Sequence, residues 1–551
     1  MRGIWAVARY TFSQCLRMKV AVLFILILAM SLAVMALGDD PHKTLADRIR
    51  VFLSYSTSLT GFLLSVVTVV LAVSVVSSDV QGKQIFTVVT KPLPRWQYIV
   101  GRWLGVVMLG GILLAGSGAA IFTVAQNMRG GEALNANDRR AVETEIFTAR
   151  NKVSPDPIDA KLDALVAQQI ARLKEQNRYD EAIQAFVARN GGDIERARQD
   201  QAEQLRRDLA EKLQSAGPGG GLSWEFSGVR VAGGDITGSG EVKEVDPNGF
   251  AIAVRAPPKL IGHLVYTGPV IINGVDGQVI AVAPDAFAVS FTREDMGKPR
   301  LSNLEPGKKV DITIPPNIQI TYKATAAQEP SDGTLHSAWA IFNLARRLQF
   351  WQSRSDSANL PATLTVSARL VDNGSLTVEY LNMNVPNEQT DFSTSVTILN
   401  KDISLLYRVG SFEWNFVRGN LLILVQLMFL AALGVMAGSF LSFPVGLLLC
   451  MVLMLFSFFT GFLLEAVTLG ATPTGGVDPL TVIGHYAMKG ITFLLPDFES
   501  TSPAESLVGG LNIAWGTLTA VWAQTGLIRT AMLLLVACLI FHKRELARVQ
   551  V

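Results

Sequence analysis

The sequence predicts a polytopic α-helical membrane protein with six transmembrane helices and a large α+β extracytoplasmic insert between the third and fourth. Three observations predict it. Of 551 residues, 49% are hydrophobic and 17% charged, with a mean hydropathy of +0.33, against roughly 25% charged in an ordinary soluble protein. The charge is unevenly spread: Asn127–Glu413 holds 31 Lys and Arg against 36 Asp and Glu, and the other 264 residues hold 17 against 10. One acidic, water-compatible block of net −5 is therefore flanked by two greasy blocks of net +7. The apolar residues of those flanks, finally, fall into runs of membrane-spanning length. A disordered chain and a disulfide scaffold are excluded, and an ordinary soluble enzyme does not fit.

A run of about 18 apolar residues crosses a hydrocarbon core of roughly 30 Å. Val20–Leu37, Leu59–Ser77, Ile99–Ala125, Leu421–Phe440 and Pro444–Leu469 qualify, and Leu518–Phe541 follows, interrupted by Arg529. Val20–Leu37 exceeds the usual apolar stretch of a signal peptide and is read as a retained span. A turn at Leu441–Pro444 joins spans four and five, with the proline where a helix start tolerates its missing N–H. Cys15, Cys450 and Cys538 all lie outside the insert, so no disulfide within the chain staples it.

Orientation follows from Lys and Arg in the short loops. With the N-terminus inside, Arg2, Arg9, Arg17, Lys19, Lys83, Lys91, Arg95, Lys543, Arg544 and Arg548 are cytoplasmic, against Lys43, Arg48, Arg50 and Lys489 outside. Both termini are then cytoplasmic and residues 127–415 extracytoplasmic. Ahead of span one, Ile4, Trp5, Ala8, Phe12 and Cys15–Leu16 share one helical face and Arg2, Arg9, Ser13 and Arg17 the other. That is the pattern of an amphipathic helix lying along the inner leaflet. A simple basic orientation signal is the plainer alternative.

Four parts result: a membrane block 1–126, a helical part of the insert 127–216, a β-rich part 217–415 and a membrane block 416–551. Asn135–Ala216 reads helical, with Ile158, Leu162, Leu165, Val166, Ile170 and Leu173 at helical spacing and a break at Asn190-Gly191-Gly192. Leu205, Leu209 and Leu213 then share a face of Ile194–Gln214, so Ile158–Gln214 reads as a hairpin, either a solvated one or one whose tip contacts a partner. Beyond the glycines 217–221, alternation marks strands at Val270–Asn273 before Asp276-Gly277, Phe287–Phe291 and Val310–Ile314. Leu364–Leu370, turned by Asp372-Asn373-Gly374-Ser375, reads as one arm of a β-hairpin and Leu376–Leu381 as the other. Such short strands point to a sandwich or barrel, with Ser337–Phe350 expected as an inserted helix.

Enzyme chemistry has no footing here. There is no phosphate-binding G-x-x-x-x-G-K-[ST] and no G-x-S-x-G, and His42, His263, His336, His485 and His542 are scattered without zinc-ligand spacing. No catalytic, cofactor or metal residue is assigned, and no basic, aromatic-interleaved patch calls for nucleic acid. Three ionisable residues do fall within spans, where charge is costly and functional by default. Arg102 sits near an inner end and is expected to snorkel. Glu465 and Arg529 lie toward the outer side, either as a pair facing the bundle or snorkelling separately.

The segment between spans two and three is the most informative. Asp79, Gln81, Lys83, Ile85 and Phe86 lead through a predicted short helix, Gly82–Thr90, to Lys91, Pro92, Pro94, Arg95 and Trp96. Its apolar content exceeds what an idle loop needs; a hairpin tucked against the leaflet is the bland alternative. Here the chain resembles the permease subunits of ABC-2-type ABC transporters. The resemblance rests on Asp79 ending span two, Thr90-Lys91-Pro92-Leu93-Pro94-Arg95-Trp96, and Gly101-Arg102-Trp103-Leu104-Gly105. The six-span layout, Leu495-Pro496-Asp497-Phe498 and the terminal Phe541-His542-Lys543-Arg544-Glu545-Leu546 extend it over about half the chain. Asp at 79, Gln84 and the size of the insert depart from the family pattern.

The resemblance implies a subunit of a bacterial cytoplasmic-membrane exporter that moves substrate or transmits force. ATP and magnesium would be bound by a separate ABC ATPase docked on Asp79–Trp96, with none held in this chain. A second permease chain, identical or paralogous, and membrane lipid are the other implied partners. An extracytoplasmic partner at residues 158–214 is a further expectation, taken from the hairpin itself. Glycines of span three, Gly101 and Gly105 among them, permit close helix contact within one chain or across a dimer. Two rival classes stand beside this reading: a membrane-anchored binding or assembly protein without transport, and an ion-coupled transporter, which lacks mid-membrane carboxylates.

Overall fold

The computed structural model describes the chain apart from residues 1, 38–42, 82–93, 135, 176–178, 180, 182, 185–186, 188–193, 232–234, 247–250, 262–263, 265–267, 284, 292–303, 329, 331–332, 344–347, 386–392, 462–485, 487–489, 491–494 and 544–551. It forms two compact units, Met1–Ala149 with Gly410–Val551, and Arg150–Val409.

The first unit is helical: α1 (Arg2–Leu16), α2 (Lys19–Leu37), α3 (Leu45–Gln81), α4 (Arg95–Arg129), α5 (Phe412–Phe440), α6 (Phe443–Phe458) and α7 (Pro503–Val508). Its last segment runs from α8 (Trp515–Val521) through a π-helical stretch, Trp522–Arg529, into α9 (Thr530–Lys543). Among the described residues, four helices are long and apolar enough to cross a membrane: Leu45–Asp79, Arg95–Arg129, Phe412–Phe440 and Trp515–His542. The shorter apolar helices Val22–Met35 and Phe443–Phe458 cover parts of the first and fifth runs.

Small residues set the packing of this unit. Gly434 and Gly438 of α5 lie against α3 so closely that added Cβ atoms would stand 2.6 Å from Ala72 Cβ and 2.9 Å from the Val73 carbonyl oxygen. Close backbone approach of this kind replaces the hydrophobic drive that lipid removes. Likewise a Cβ at Gly101 or Gly105 of α4 would fall 2.6 Å from Val7 Cβ or 2.5 Å from Thr11 Cβ of α1. The glycine pair of span three therefore serves a contact within the chain. It also fixes which face of α1 is inward: Ala8, Thr11 and Cys15 are buried, while Trp5 and Leu16 are exposed. At the other end of α3, both carboxylate oxygens of buried Asp138 accept N–H bonds from Leu45 and Ala46 at 2.8 Å, capping the helix from 93 residues away.

The second unit contains a sandwich and a barrel. The sandwich sheets are β1 (Thr148–Val153), β17 (Ile403–Ser411), β10 (Asn317–Lys323) and β14 (Pro361–Ser367), in that order, and β13 (Leu348–Ser357), β12 (Thr334–Asn343), β15 (Leu376–Asn382) and β3 (Gly221–Phe226). Trp224, Trp339, Tyr322 and Tyr380 fill the core, with Trp339 wholly buried. A closed six-stranded barrel follows the order β4 (Ile236–Val245), β5 (Ala251–Arg255), β8 (Ala286–Ser290), β7 (Val275–Val282), β6 (Pro269–Ile272) and β9 (Lys309–Ile314), around Val254, Phe287, Val289 and Ile312. β2 (Ser215–Ala216), β16 (Val396–Thr397) and β11 (Thr325–Ala326) make a small third sheet. Helices Asp159–Glu175 and Ile194–Gln214 pair as expected, joined by Arg206 to Asp159 at 2.7 Å and Asp163 at 3.4 Å. Exposed pairs of this type add about 0–1 kcal/mol.

Several sequence expectations fail in this unit, each for a tertiary reason. The described residues of Ser337–Phe350 are strand and not helix: Thr334–Asn343 pairs with β13 and β15 in an antiparallel ladder. Its Leu335, Trp339 and Ile341 join the sandwich core, Ala338 and Ala340 are buried as well, and pairing with a strand on each side prevails over helical propensity. Leu364–Leu370 and Leu376–Leu381 are not arms of one hairpin, because β14 pairs with β10 and β15 with β12 and β3. A 3-10 turn at Ala368–Leu370, with Ala368 and Leu370 buried, carries the chain from one sheet to the other. The turn after β6 is Asn273-Gly274, both at positive φ (51° and 78°), which closes a two-residue hairpin to β7. Asp276-Gly277 lies inside β7. Thr148–Val153 is a strand within the stretch read as helical.

Candidate functional site

Asp79 stands in the last turns of α3, and α4 begins at Arg95, just after Pro94, whose extended backbone (φ −60°, ψ 137°) turns the chain into the helix. Four residues apart on α4, Tyr98 and Arg102 project from one face. The Arg102 Nη2 donates to the Asp79 carboxylate, and the Tyr98 hydroxyl donates to the same carboxylate oxygen. From α1, Gln14 Oε1 accepts from Arg102 Nη1 at 2.7 Å and Thr11 Oγ1 at 3.2 Å. The guanidinium lies 5.2 Å from the Tyr10 ring centroid and 5.1 Å from that of Tyr98. Asp79, Tyr98 and Arg102 are each at most 3% exposed.

Arg102 therefore does not snorkel. Its head turns inward, because Asp79 and two side chains of α1 offer acceptors that a lone helix lacks. Burying two charges costs several kcal/mol each, offset only by good geometry and extra hydrogen bonds; charge-assisted bonds and two aromatic faces supply them here. Arg102 Nε has no hydrogen-bond partner among the described residues, so the network is tight but not saturated.

The same corner reaches the end of the chain's last long helix. Arg95 Nη1 donates to the backbone carbonyls of His542 at 2.9 Å and Phe541 at 3.3 Å, satisfying carbonyls that a helix end leaves unpaired. Tyr98 stacks on Phe541 at 5.5 Å between centroids. Asp79, Arg95 and Arg102 thus come together with α1 and α9 around the two ends of the 82–93 segment. Trp96 is half exposed. Gln81 closes α3. Lys83, Ile85, Phe86, Lys91 and Pro92 lie outside the described residues, as does the predicted Gly82–Thr90 helix. Burial pushes the Cys15 thiol, one residue from Gln14, up to about 12, which keeps it protonated and inert.

A second polar locus surrounds Arg529. The π-helical stretch that ends on Arg529 places it beside a cavity of about 180 Å³ shared with Gln426, Asp497, Gln524 and Thr525. Arg529 Nη1 donates to Thr525 Oγ1 at 3.4 Å, and Gln426 Nε2 donates to Ser65 Oγ at 2.8 Å. Asp497 Oδ1 accepts the backbone N–H groups of Glu499 and Ser500 at 3.0 and 3.1 Å. Glu465 lies outside the described residues, and the acidic residue lining this cavity is Asp497. Wide helical turns recur at functional sites, and polar groups of this density within apolar helices are costly.

Sequence reasoning missed Tyr98, Tyr10, Thr11, Gln14 and Asp497 as site members. Tyr98 was legible in principle, since it shares a helical face with Arg102. The others come from remote parts of the chain. Among the described residues, no group of three or more His, Cys, Asp or Glu is placed to hold a metal ion. Compared with known proteins, the chain matches no family model, no curated protein and no solved structure.

Proposed function

We propose that this chain is the membrane subunit of an ABC-2-type exporter, worked by ATP hydrolysis in a separate subunit that docks on Asp79–Trp96. The observation that carries the proposal is the buried Asp79–Arg102 pair. A loop that merely connects two helices has no need of a desolvated ion pair bracing its two ends. A loop that receives force does, because a push on it must move α1, α3, α4 and α9 together rather than bend the loop. The hydrogen bonds of Arg102 to α1 and of Arg95 to α9 are the physical links for that motion. Six spans, cytoplasmic termini and an extracytoplasmic insert complete the proposal, on the charge distribution of the short loops. The polar cavity at Arg529 is then a candidate stretch of the substrate path.

The anchoring alternative, in which the helices only hold the second unit outside, gives no role to the braced loop. The two readings separate on one experiment. The full chain, affinity-purified from its native membrane, is expected to bring down a protein with a P-loop ATPase sequence, and Ile85→Asp with Phe86→Asp is expected to abolish that capture. Retention of the ATPase by the double variant overturns the docking site, and its absence from wild-type preparations overturns the exporter.

A further inference from the structure

The sandwich sheet β13-β12-β15-β3 has an outer face that the function proposed above does not use. In its antiparallel register Trp351 stands opposite Ala340, Ala340 opposite Glu379 and Glu379 opposite Ser223. Residues directly opposite share a face, and side chains alternate along each strand. All four therefore point away from the core that Trp339, Tyr380 and Trp224 fill. At about 4.8 Å per strand the row is about 14 Å long.

Trp351 is 54% exposed, whereas the equally outward Ala340 is 2% exposed. A methyl on the outer face owes such cover to the taller side chains around it, so the indole leans over the sheet and offers one flat side to water. Phe342, two residues along β12 on the same face, meets the ring edge to face, at 6.5 Å between centroids and 87° between planes, which fixes its attitude. Beyond the ring the surface is polar: Ser353, Glu379 and Ser223 are exposed. Among the described residues, nothing forms a hydrogen bond or ion pair with the Glu379 carboxylate.

This chemistry selects the occupant. Protein hot spots sit in desolvated pockets ringed by further contacts that exclude water, and aromatic recognition of a cation encloses it in a cage of rings. One open indole bordered by hydroxyls and a carboxylate is neither. A pyranose with equatorial hydroxyls has the complementary build. Its axial C–H bonds make an apolar side for the indole to cover, and its hydroxyls spread in the ring plane, where a neighbouring carboxylate accepts from them in charge-assisted bonds. β-Linkage keeps successive rings of such a sugar flat, and the row continues across two more strands to Ser223, which gives a chain of them a track.

We infer that this face binds a β-linked chain of all-equatorial hexopyranoses, one ring stacked on Trp351 and its hydroxyls donating to Glu379. The inference rests on the second unit alone and is independent of the transporter reading.

The test records saturation-transfer NMR between the full chain, purified in a detergent without a sugar headgroup, and cellotetraose or chitotetraose. Transfer to the ring C–H protons of both is expected, and none to sorbitol, an open-chain polyol without a rigid C–H face. Trp351→Ala is expected to abolish it, and Glu379→Gln to weaken binding about fivefold or more in titration. Trp5→Ala removes a similarly exposed indole from α1 and is expected to change nothing. An unaltered melting temperature shows that Trp351→Ala keeps the sheet; if it melts early, Trp351→Gln, which retains bulk without an aromatic face, takes its place. No transfer to either oligosaccharide in the wild type, or equal transfer in wild type and the Trp351 variant, overturns the site. Equal affinity in Glu379→Gln overturns the role of the carboxylate. A wild-type dimer that Trp351→Ala dissociates would assign the face to a second copy instead.

Discussion

Arg102 closes on Asp79 across the two ends of the segment that joins α3 to α4, 23 residues apart in sequence and both almost fully buried. This pair predicts an asymmetry between single and double substitutions. Asp79→Leu or Arg102→Met alone strands a buried charge and is expected to cost about 3–5 kcal/mol. Asp79→Leu combined with Arg102→Met removes both charges and is expected to recover most of that stability. Thermal unfolding of the purified chain in detergent reads the cycle, and additive losses in the double variant would mean that the two residues act separately.

Close packing of α1 on α4 gives a second prediction. A side chain at 105 has no room, since its Cβ would lie 2.6 Å from the Ala8 carbonyl oxygen and 2.5 Å from Thr11 Cβ. Gly105→Leu is expected to detach α1 and expose Cys15, which is buried in the native chain, to thiol reagents. Gly116→Leu, where an added Cβ meets nothing within 4 Å, is expected to leave Cys15 protected. Equal labelling in the two variants would show that the glycine does not hold α1 in place.

How much of this was legible depends on the range of the interaction. Apolar runs mark the long helices because lipid imposes one requirement on every residue of a span, and Leu162 and Leu205 mark the paired helices of the second unit through local spacing. The strand at Thr334–Asn343 was hidden because its partners lie on both sides of it in space and its own composition also suits a helix. Three of the six barrel strands, β6, β8 and β9, were visible one by one, while β4, β5 and β7 were not, and closure depends on pairings such as β4 with β9, about 70 residues away. Arg102 was misread for a related reason. On an isolated helix the interface is its cheapest refuge, and only the folded α1 and α3 offer a better one.

The sandwich core carries a pH prediction. The Tyr322 hydroxyl donates to Asp356 at 2.5 Å, and burial, reinforced by the Asp356 charge and opposed by Arg354, pushes this phenol well above its ordinary value. Burial does the same to Tyr380. A phenol whose folded value is raised favours the fold fully below its unfolded value of about 10, and that contribution is lost as pH climbs toward the folded value. The intrinsic fluorescence of the buried Trp224 and Trp339 in the full chain is expected to report a melting temperature that is level to about pH 9 and falls above it. Tyr322→Phe is expected to make that alkaline fall shallower, and an unchanged slope would exclude Tyr322 as its source.

Topology gives a fourth prediction. Ser375 lies exposed in the second unit, so a membrane-impermeant thiol reagent applied to intact cells, or to spheroplasts where an outer membrane is present, is expected to label Ser375→Cys. Gln550→Cys is expected to react only after the membrane is opened. The reverse pattern would invert the orientation drawn from the short-loop charges.

The central claim is that the braced loop transmits the work of a docked ATPase, and the most direct measurement is ATP hydrolysis by the co-purified complex in proteoliposomes. The wild-type chain is expected to change the hydrolysis rate of its ATPase relative to the free ATPase. Asp79→Leu with Arg102→Met, folded and still bound to the ATPase, is expected to return the rate to that of the free subunit. A rate in that double variant equal to the wild-type complex would contradict the account, because force would then pass without the pair.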